Sequence, residues 1–392
     1  MKPESKTVHW GDRKKSGDFI PVTTPIYTAA SYVYESMDQL DRVFGLEESG
    51  PSYARYDNPT RSALEEVMRE LEGGAGAIAC ASGMIAIHTA LLAALLDRPK
   101  RVLAANMMYG ATTAMLMNVF GPLGVETSHA DPCDLSAFEA ALAETKPGAV
   151  VMETIANPLL RVPPLDRIAQ LCRAAGVPLI VDNTFATPLL VRPIELGASI
   201  VCHSATKYLA GHGDVLGGVI VSDQGSFDVL RGLARTIGPV MGPFESYLTM
   251  RGIKTLALRV ERQCANACQV ASWLAAHPRI ERIYFPGDPQ HPDAAHIARL
   301  LPDNRFGGLV AFEVKDAGRG EIFRFMERLK MIVRATSLGD VHTMILYPAM
   351  SSHRDLSPKH RERLGIRENL VRMSLGIEAV EDILADLEQA LA

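Results

Sequence analysis

The sequence lacks a run of apolar residues long enough to cross a membrane. The longest candidate, residues 85–96, contains His88, whereas a transmembrane helix needs about 20 predominantly apolar residues. The first residues, MKPESK, also lack the apolar core of a secretory signal peptide. We therefore expect no membrane association and a cytoplasmic location.

Clustered positive charge is also missing. The chain has 40 Lys and Arg residues against 45 Asp and Glu residues, a formal net charge of -5, and no basic run stands out. Proteins that bind nucleic acids derive their affinity from clustered contacts to phosphates. The charge pattern therefore argues against a nucleic-acid partner.

Spacings typical of metal sites are absent as well. The 6 cysteines include no CxxC pair, and the 11 histidines form no HExxH motif. We therefore predict no metal site. Most of the cysteines lie in apolar segments, so we expect them to pack as small hydrophobic side chains in a reducing compartment.

What the sequence does contain is a regular alternation of strand and helix patterns. At 392 residues the chain is long enough for two or three folding units. Strands are predicted at residues 77–81, 101–105, 125–130, 149–153, 178–182, 199–202 and 218–221, with helical patterns between most of them. This alternation predicts an α/β fold with a mainly parallel sheet covered on both faces, whose ligands bind at the carboxyl ends of the strands.

Three parts of the chain are predicted. Residues 1–55 are polar and rich in turn signals, which indicates an extended arm that packs on a partner subunit. Residues 56–250 form the large domain, and residues 251–392 form a smaller α/β domain with strands near 308–314, 331–335 and 370–374. The boundary falls within a long helical pattern over residues 244–276.

The most informative stretch is SATKYLAGHGD, residues 204–214, which lies between two apolar runs and contains Lys207. A lysine is rarely buried unless its amine is used, and this one suggests covalent chemistry. Ser204 and Lys207 also match the SxxK motif of penicillin-binding proteins. The SDN and KTG motifs that accompany SxxK are missing, so an acyl hydrolase remains a minor alternative.

A second stretch, CASGM at residues 80–84, joins a predicted strand to a predicted helix. Free backbone amides at a helix N-terminus bind anions, and Gly83 would let a phosphate approach Ser82 and Met84 closely. An ordinary βα turn is the plain alternative. The stretch is neither a P-loop nor a dinucleotide-binding fingerprint.

Three further residues allow both a structural and a functional interpretation. Asp182 ends a buried strand, where it could cap a turn or bind a protonated ring nitrogen. Tyr109 could be a core residue or could stack on a flat ligand. Arg372 could lie on the surface or could hold a carboxylate through two hydrogen bonds. Together with Lys207 and an anion site, these groups fit one ligand, pyridoxal 5'-phosphate (PLP).

With these motifs the chain resembles the PLP-dependent enzymes of Cys/Met metabolism, the transsulfuration group, over nearly its whole length. The specific part is DNTF at 182–185 followed by SATKYLAGHGD at 204–214, and YAR at 53–55, SGM at 82–84 and SLG at 337–339 agree in order and spacing. The group includes cystathionine γ-synthases, cystathionine γ- and β-lyases, methionine γ-lyases and O-acylhomoserine sulfhydrylases.

The resemblance implies a fold-type I PLP-dependent transferase with a seven-stranded type of sheet and a homotetramer built from two tight dimers. It implies that Lys207 binds the cofactor covalently and that Tyr109 stacks on its ring and transfers protons. The other implied cofactor contacts are Ser82, Gly83, Met84, Asp182, Ser204 and Thr206, with Tyr53 and Arg55 reaching the neighbouring subunit. The implied contacts to the substrate carboxylate are Arg372, Ser337 and Asn157.

The resemblance further implies γ-elimination on a sulfur amino acid, which yields a 2-oxo acid, ammonia and a thiol. The alternative within the group is γ-replacement on an O-acylhomoserine. A PLP-binding regulator without turnover is a third possibility, which the intact catalytic residues disfavour. The chain departs from the usual members at His342, Ala111 and Ser52, so we expect substrate specificity to be decided there.

Overall fold

The computed structural model describes residues 1–15, 18–301, 303–351, 354 and 358–392. Within them, the first sheet has seven strands in the order β1-β7-β6-β5-β4-β2-β3. These strands are β1 (Gly76–Cys80), β2 (Arg101–Ala105), β3 (Glu126–Ala130), β4 (Ala149–Glu153), β5 (Leu179–Asp182), β6 (Ile200–Ser204) and β7 (Gly218–Ser222). Only β7 runs antiparallel to its neighbours. The prediction of a mainly parallel α/β sheet is confirmed.

Helices connect these strands, as the alternation predicted. They are α3 (Pro59–Glu72), α4 (Gly83–Leu95), α5 (Gly110–Met115), α6 (Leu135–Thr145), α7 (Leu165–Ala174), α8 (Thr187–Leu190), α9 (Pro193–Leu196), α10 (Gln224–Ile237) and α11 (Pro243–Ile253). After β2, α5 is followed by a π-helical turn, Leu116–Phe120, and a 3-10 turn, Gly121–Leu123. The start of α3 follows local sequence signals, since the Asn58 side chain accepts hydrogen bonds from two backbone N–H groups and Pro59 fills the first turn.

The N-terminal arm is less extended than its sequence suggests. It contains two short helices, α1 (Pro3–His9) and α2 (Met37–Phe44), and α1 packs on α3. Apolar side chains of the arm stay exposed in the single chain, including Phe19 at 70% and Val33 at 99%. The arm therefore carries apolar surface that its own chain does not cover.

The second sheet has five strands in the order β10-β11-β12-β9-β8. They are β8 (Ile280–Tyr284), β9 (Leu309–Val314), β10 (Val333–Arg334), β11 (Met344–Leu346) and β12 (Leu370–Ser374), accompanied by α12 (Leu256–Ala276), α13 (Ala294–Leu300), α14 (Arg319–Arg328), α15 (Pro358–Arg363) and α16 (Val380–Leu391). The sequence predicted three of these strands and missed two. No residue of β8 is buried, and β11 has only three residues, so neither gives a clear periodic signal.

The long helix predicted over 244–276 is in fact two helices, α11 and α12, which meet at Thr255. The buried guanidinium of Arg259 donates a 2.7 Å hydrogen bond to the carbonyl of Gly252 at this junction. It also donates to the carbonyl of Tyr208, the residue after Lys207. The helix junction is thereby tied to the lysine loop.

Each sheet has its own apolar core. The first is centred on fully buried residues such as Leu103, Val150 and Ile180, and the second on residues such as Phe312 and Val371. Of the six cysteines, all free thiols, four are buried, as expected for small core side chains. Among the described residues, no helix is long and apolar enough to span a membrane, and no cluster of His, Cys, Asp or Glu side chains could hold a metal ion.

Candidate active site

A cavity of about 460 Å³ opens at the carboxyl ends of β4, β5 and β6, beside the N-terminus of α4. Residues of the second sheet and its loops line the opposite side. Ten of the residues singled out from the sequence line this cavity: Ser82, Gly83, Met84, Tyr109, Asn157, Asp182, Ser204, Thr206, Lys207 and Arg372. Residues far apart in the sequence therefore converge on one site.

Lys207 lies in the loop that follows β6, and its Nζ donates a 3.1 Å hydrogen bond to Oγ of Ser337. Burial lowers the pKa of the Lys207 amine, and the positive charge of Arg372 lowers it further. Both effects increase the fraction of neutral amine near neutral pH. A neutral amine is the form that can attack a carbonyl carbon or accept a proton.

The N-terminus of α4 forms one end of the cavity. Ser82 caps the helix by accepting a hydrogen bond from the backbone N–H of Ile85 at 3.2 Å. A Cβ at Gly83 would lie only 2.9 Å from Cβ of Ser204, so the close contact between this turn and β6 requires glycine. The first-turn amides together with the hydroxyls of Ser204 and Thr206 suit a phosphate group.

Asp182 ends β5 with its carboxylate facing the cavity. Its Oδ1 accepts hydrogen bonds from Thr184, one from the backbone N–H at 3.0 Å and one from the hydroxyl at 2.5 Å. Burial raises the pKa of Asp182, although these hydrogen bonds oppose the shift. A buried carboxylate of this kind is stabilised when a cationic group, such as a protonated ring nitrogen, lies beside it.

Glu153 is the most informative residue that sequence reasoning missed. It ends β4 in register with Asp182 on the neighbouring strand, and it lines the cavity. The pKa of Glu153 is raised to about 8, chiefly by burial and secondly by the charge of Asp182. The signal was available, since Glu153 ends a buried strand in the same way as Asp182.

Arg372 lies in the middle of β12 and is only 3% exposed. One Nη donates a 2.7 Å hydrogen bond to Oδ1 of Asn157, and the guanidinium carbon lies 5.6 Å from the ring centroid of Phe185. Its Nε is buried with no hydrogen-bond partner in the described part of the chain, and burial lowers the pKa of Arg372 to about 10. A carboxylate in the cavity would satisfy this guanidinium.

Other cavity-lining residues were also assigned no role from the sequence. Besides Glu153 they are Ile87, Ile155, Thr184, Phe185, Leu216, Thr336, Leu338, Leu346 and Ser351. Most of them are apolar and resemble ordinary core residues. Thr184 and Phe185 follow Asp182 directly in the DNTF motif, and Leu338 lies in the SLG motif.

Several predicted residues lie elsewhere in the single chain. Arg55 donates a hydrogen bond to the carbonyl of Arg235 and packs over the ring of Tyr56, while Tyr53 is 43% exposed. Among the residues expected to set specificity, the side chain of His342 is 63% exposed and its Nδ1 lies 2.8 Å from Oδ1 of Asp340. None of Tyr53, Arg55, Ser52, Ala111 and His342 is among the described residues that line the cavity.

The fold and the site together define a class. A mainly parallel sheet presents a lysine with a lowered pKa, a buried carboxylate and an amide-rich helix N-terminus to one cavity, and these are the groups that PLP requires. The arrangement is that of a fold-type I PLP-dependent enzyme.

Comparison with known proteins supports this class. A family model described as Cys/Met metabolism PLP-dependent enzyme matches residues 4–392. The chain is 40% identical over 391 residues to an L-methionine gamma-lyase of Pseudomonas putida, covering 99% of this chain and 96% of the relative. It is 37% identical over 369 residues to an O-succinylhomoserine sulfhydrylase of Pseudomonas aeruginosa, covering 94% and 90%.

Among solved structures, the cystathionine gamma-lyase from Lactobacillus plantarum complexed with L-serine aligns with a TM-score of 0.92 at 35% identity, covering 100% of this chain and 98% of the other. The chain belongs to the Cys/Met metabolism PLP-dependent enzyme family. Its cofactor is PLP, and its reaction is that of a PLP-dependent carbon–sulfur lyase or γ-replacement enzyme. This family assignment leaves the acyl-hydrolase interpretation of Ser204 and Lys207 without support.

Proposed function

We propose that the protein is a carbon–sulfur lyase that catalyses γ-elimination on a thioether amino acid of the methionine or cystathionine type. The products are a 2-oxo acid, ammonia and a thiol. The observation that carries the proposal is that Lys207, with its lowered pKa, and the partly unsatisfied guanidinium of Arg372 line the same cavity. The 40% identity to an L-methionine gamma-lyase favours elimination.

The cofactor contacts follow from the arrangement of the cavity. Ser82, Gly83 and Met84 at the start of α4, with Ser204 and Thr206, would hold the phosphate. Asp182 would bind the ring nitrogen, and Tyr109 would stack on the ring. When bound, PLP supplies an electron sink that stabilises negative charge at carbon atoms of the substrate.

The substrate would be oriented by its carboxylate. Arg372 would bind this group, with Ser337 and Asn157 beside it, which explains why a buried guanidinium keeps an unsatisfied Nε. Binding of the carboxylate by Arg372 would hold the Cα–H bond near Lys207, which lines the same cavity. The labile proton and its acceptor would then be close together before any bond breaks.

Lys207 would move the protons of the reaction. Its amine would accept the Cα proton and later exchange protons at Cβ, while Tyr109 would assist with proton transfer. Departure of the thiolate from Cγ then leaves an unsaturated product. Hydrolysis of that product gives the 2-oxo acid and ammonia.

We also infer that the active form is a homotetramer of two tight dimers in the cytoplasm. Tyr53 and Arg55 lie outside the cavity of their own chain, so they are available to complete the site of a neighbouring subunit. The exposed apolar side chains of the arm, such as Phe19 and Val33, support such an interface.

The second candidate is γ-replacement on an O-acylhomoserine, which the 37% identity to an O-succinylhomoserine sulfhydrylase supports. A product screen separates the two. Methionine, cystathionine, homocysteine, cysteine and O-acylhomoserines are each supplied with and without a thiol. Release of a 2-oxo acid from a thioether substrate without added thiol supports the lyase, whereas a thioether product with no 2-oxobutanoate contradicts it.

A further inference from the structure

We infer that Glu153 is a positioning residue that fixes two parts of the site relative to each other. One is the stacking ring of Tyr109, and the other is the carboxylate clamp, the guanidinium of Arg372 that would bind the substrate carboxylate. The inference rests on the roles proposed above for Tyr109 and Arg372. Glu153 itself was assigned no role from the sequence. Its carboxylate lies at the carboxyl end of β4, only 8% exposed.

The two oxygens of this carboxylate have separate partners. Oε1 accepts a hydrogen bond from the backbone N–H of Tyr109 at 2.5 Å, and Oε2 accepts one from the backbone N–H of Asn157 at 3.0 Å. The two donors are 48 positions apart in numbering and belong to the turns that follow β2 and β4. One side chain therefore joins two loops that no backbone hydrogen bond between them connects in the described structure.

Each of these loops carries a group that faces the cavity. Tyr109 lies just before the first turn of α5. The hydrogen bond from its backbone N–H therefore fixes the position from which its aromatic ring extends. Asn157 is 2% exposed, and its Oδ1 accepts the 2.7 Å hydrogen bond from Arg372. Glu153 thus acts on the guanidinium through Asn157 and on the aromatic ring through the Tyr109 backbone.

A carboxylate suits this position better than an amide. Both partners are N–H donors, and a carboxylate offers two acceptor oxygens, whereas a glutamine side chain offers one oxygen and a second donor. A glutamine at 153 would set an N–H group against an N–H group in a buried place. An aspartate would keep both oxygens but, being one methylene shorter, would not reach both donors.

The test uses the holoenzyme with Glu153→Gln and Glu153→Asp at a pH above about 8, where the wild-type Glu153 side chain is the ionised carboxylate. Visible circular dichroism of the bound cofactor reports the tyrosine side without any substrate. Titration with butanoate, a carboxylic acid without an amino group, followed by the change in cofactor absorbance, reports the clamp. We expect both variants to change the dichroic band and to bind butanoate at least about tenfold more weakly, the effect of losing one charge-assisted hydrogen bond.

The matched control is Asp386→Asn in α16, because Asp386 is also a buried carboxylate that accepts backbone N–H groups, those of Lys330, Met331 and Ile332. This variant should lower the melting temperature but leave the dichroism and the butanoate affinity unchanged. If either the circular dichroism or the butanoate affinity of the Glu153 variants stays at the wild-type value, as expected for the control, the inference is overturned.

Arg372→Ala separates this inference from the proposed function. If that variant binds butanoate as well as wild type does, the carboxylate clamp is misassigned, and the assigned path from Glu153 through Asn157 to the clamp fails with it. The circular dichroism still tests whether Glu153 positions Tyr109. Should Glu153→Gln fail to fold, Glu153→Asp preserves the charge and carries the same two readings.

Discussion

The Nζ of Lys207 lies 3.1 Å from Oγ of Ser337, although the two residues are 130 positions apart. Lys207 follows β6 of the first sheet, and Ser337 lies between β10 and β11 of the second. The contact shows that the cavity is formed where the two sheets meet.

The first prediction concerns the hydroxyl that Lys207 contacts. Ser337→Ala should lower kcat/KM for the amino-acid substrate by about fivefold to tenfold, because one hydrogen bond that orients the amine is lost. The control is Ser272→Ala, since in the described part of the chain that exposed hydroxyl bonds only to the carbonyl of Cys268 within α12. Equal kinetics of the two variants would remove Ser337 from the site.

The second prediction concerns the turn before α4. Gly83→Ala should weaken cofactor binding and cost about 1–3 kcal/mol of unfolding free energy, because the new Cβ overpacks the contact with Ser204. Cofactor affinity is measured by titrating the cofactor-free protein.

Gly232 offers a matched comparison, because it lies in α10 with no atom near the place of an added Cβ. Gly232→Ala should raise the unfolding free energy by about 0.5–1 kcal/mol through helix propensity alone. A cofactor affinity of Gly83→Ala equal to that of Gly232→Ala would show that the phosphate does not approach this turn.

The third prediction concerns the pH dependence of stability in the cofactor-free protein. The carboxyl of Glu153 has an ordinary pKa of 4.5, raised to about 8 in the folded chain. Between these values the folded state binds more protons than the unfolded state, so the contribution of Glu153 to stability is complete below about pH 4.5 and is lost as pH rises through about 8.

Denaturant unfolding of wild type and Glu153→Gln at several pH values isolates this effect, because Asp182 and Lys207 titrate in both proteins. The unfolding free energy of wild type should fall relative to that of Glu153→Gln as pH rises from about 5 to about 8, by at most about 1.4 kcal/mol per pH unit. Parallel curves would mean that Glu153 is ionised throughout.

The fourth prediction concerns substrate specificity. The exposed side chain of His342 does not line the cavity, whereas Leu346 does. Leu346→Ala should raise KM for a thioether substrate about tenfold, the usual effect of removing apolar contact from a pocket. His342→Ala should change KM less than about twofold, a change too small to reflect a lost apolar contact. A larger change in KM for His342→Ala than for Leu346→Ala would show that His342 sets the specificity, as the sequence indicated.

Much of the fold could be predicted from the sequence, because short buried strands and amphipathic helices give periodic signals. The seven strands of the first sheet were all expected. The second sheet was harder to predict, since no residue of β8 is buried and β11 has three residues. The break at Thr255 was invisible because it depends on Arg259, which bonds across to the lysine loop.

The site was readable where chemistry requires unusual residues at strand ends. Lys207, Asp182 and Arg372 stood out because charged groups interrupt apolar runs. Most of the residues missed have roles that depend on which groups lie near them in the folded chain. Glu153 looked like an ordinary strand end until Tyr109 and Asn157 were seen to share it, and Leu346 looked like any core leucine.

The central claim is that Lys207 drives elimination of a thiol from a thioether amino acid. The most direct measurement is the amount of 2-oxobutanoate and ammonia formed from L-methionine without added thiol by wild type, Lys207→Ala and the exposed control Lys315→Ala. The account predicts equal amounts of the two products from wild type and from Lys315→Ala, and none above background from Lys207→Ala. Undiminished product formation by Lys207→Ala, or no product from wild type on any thioether substrate, would contradict it.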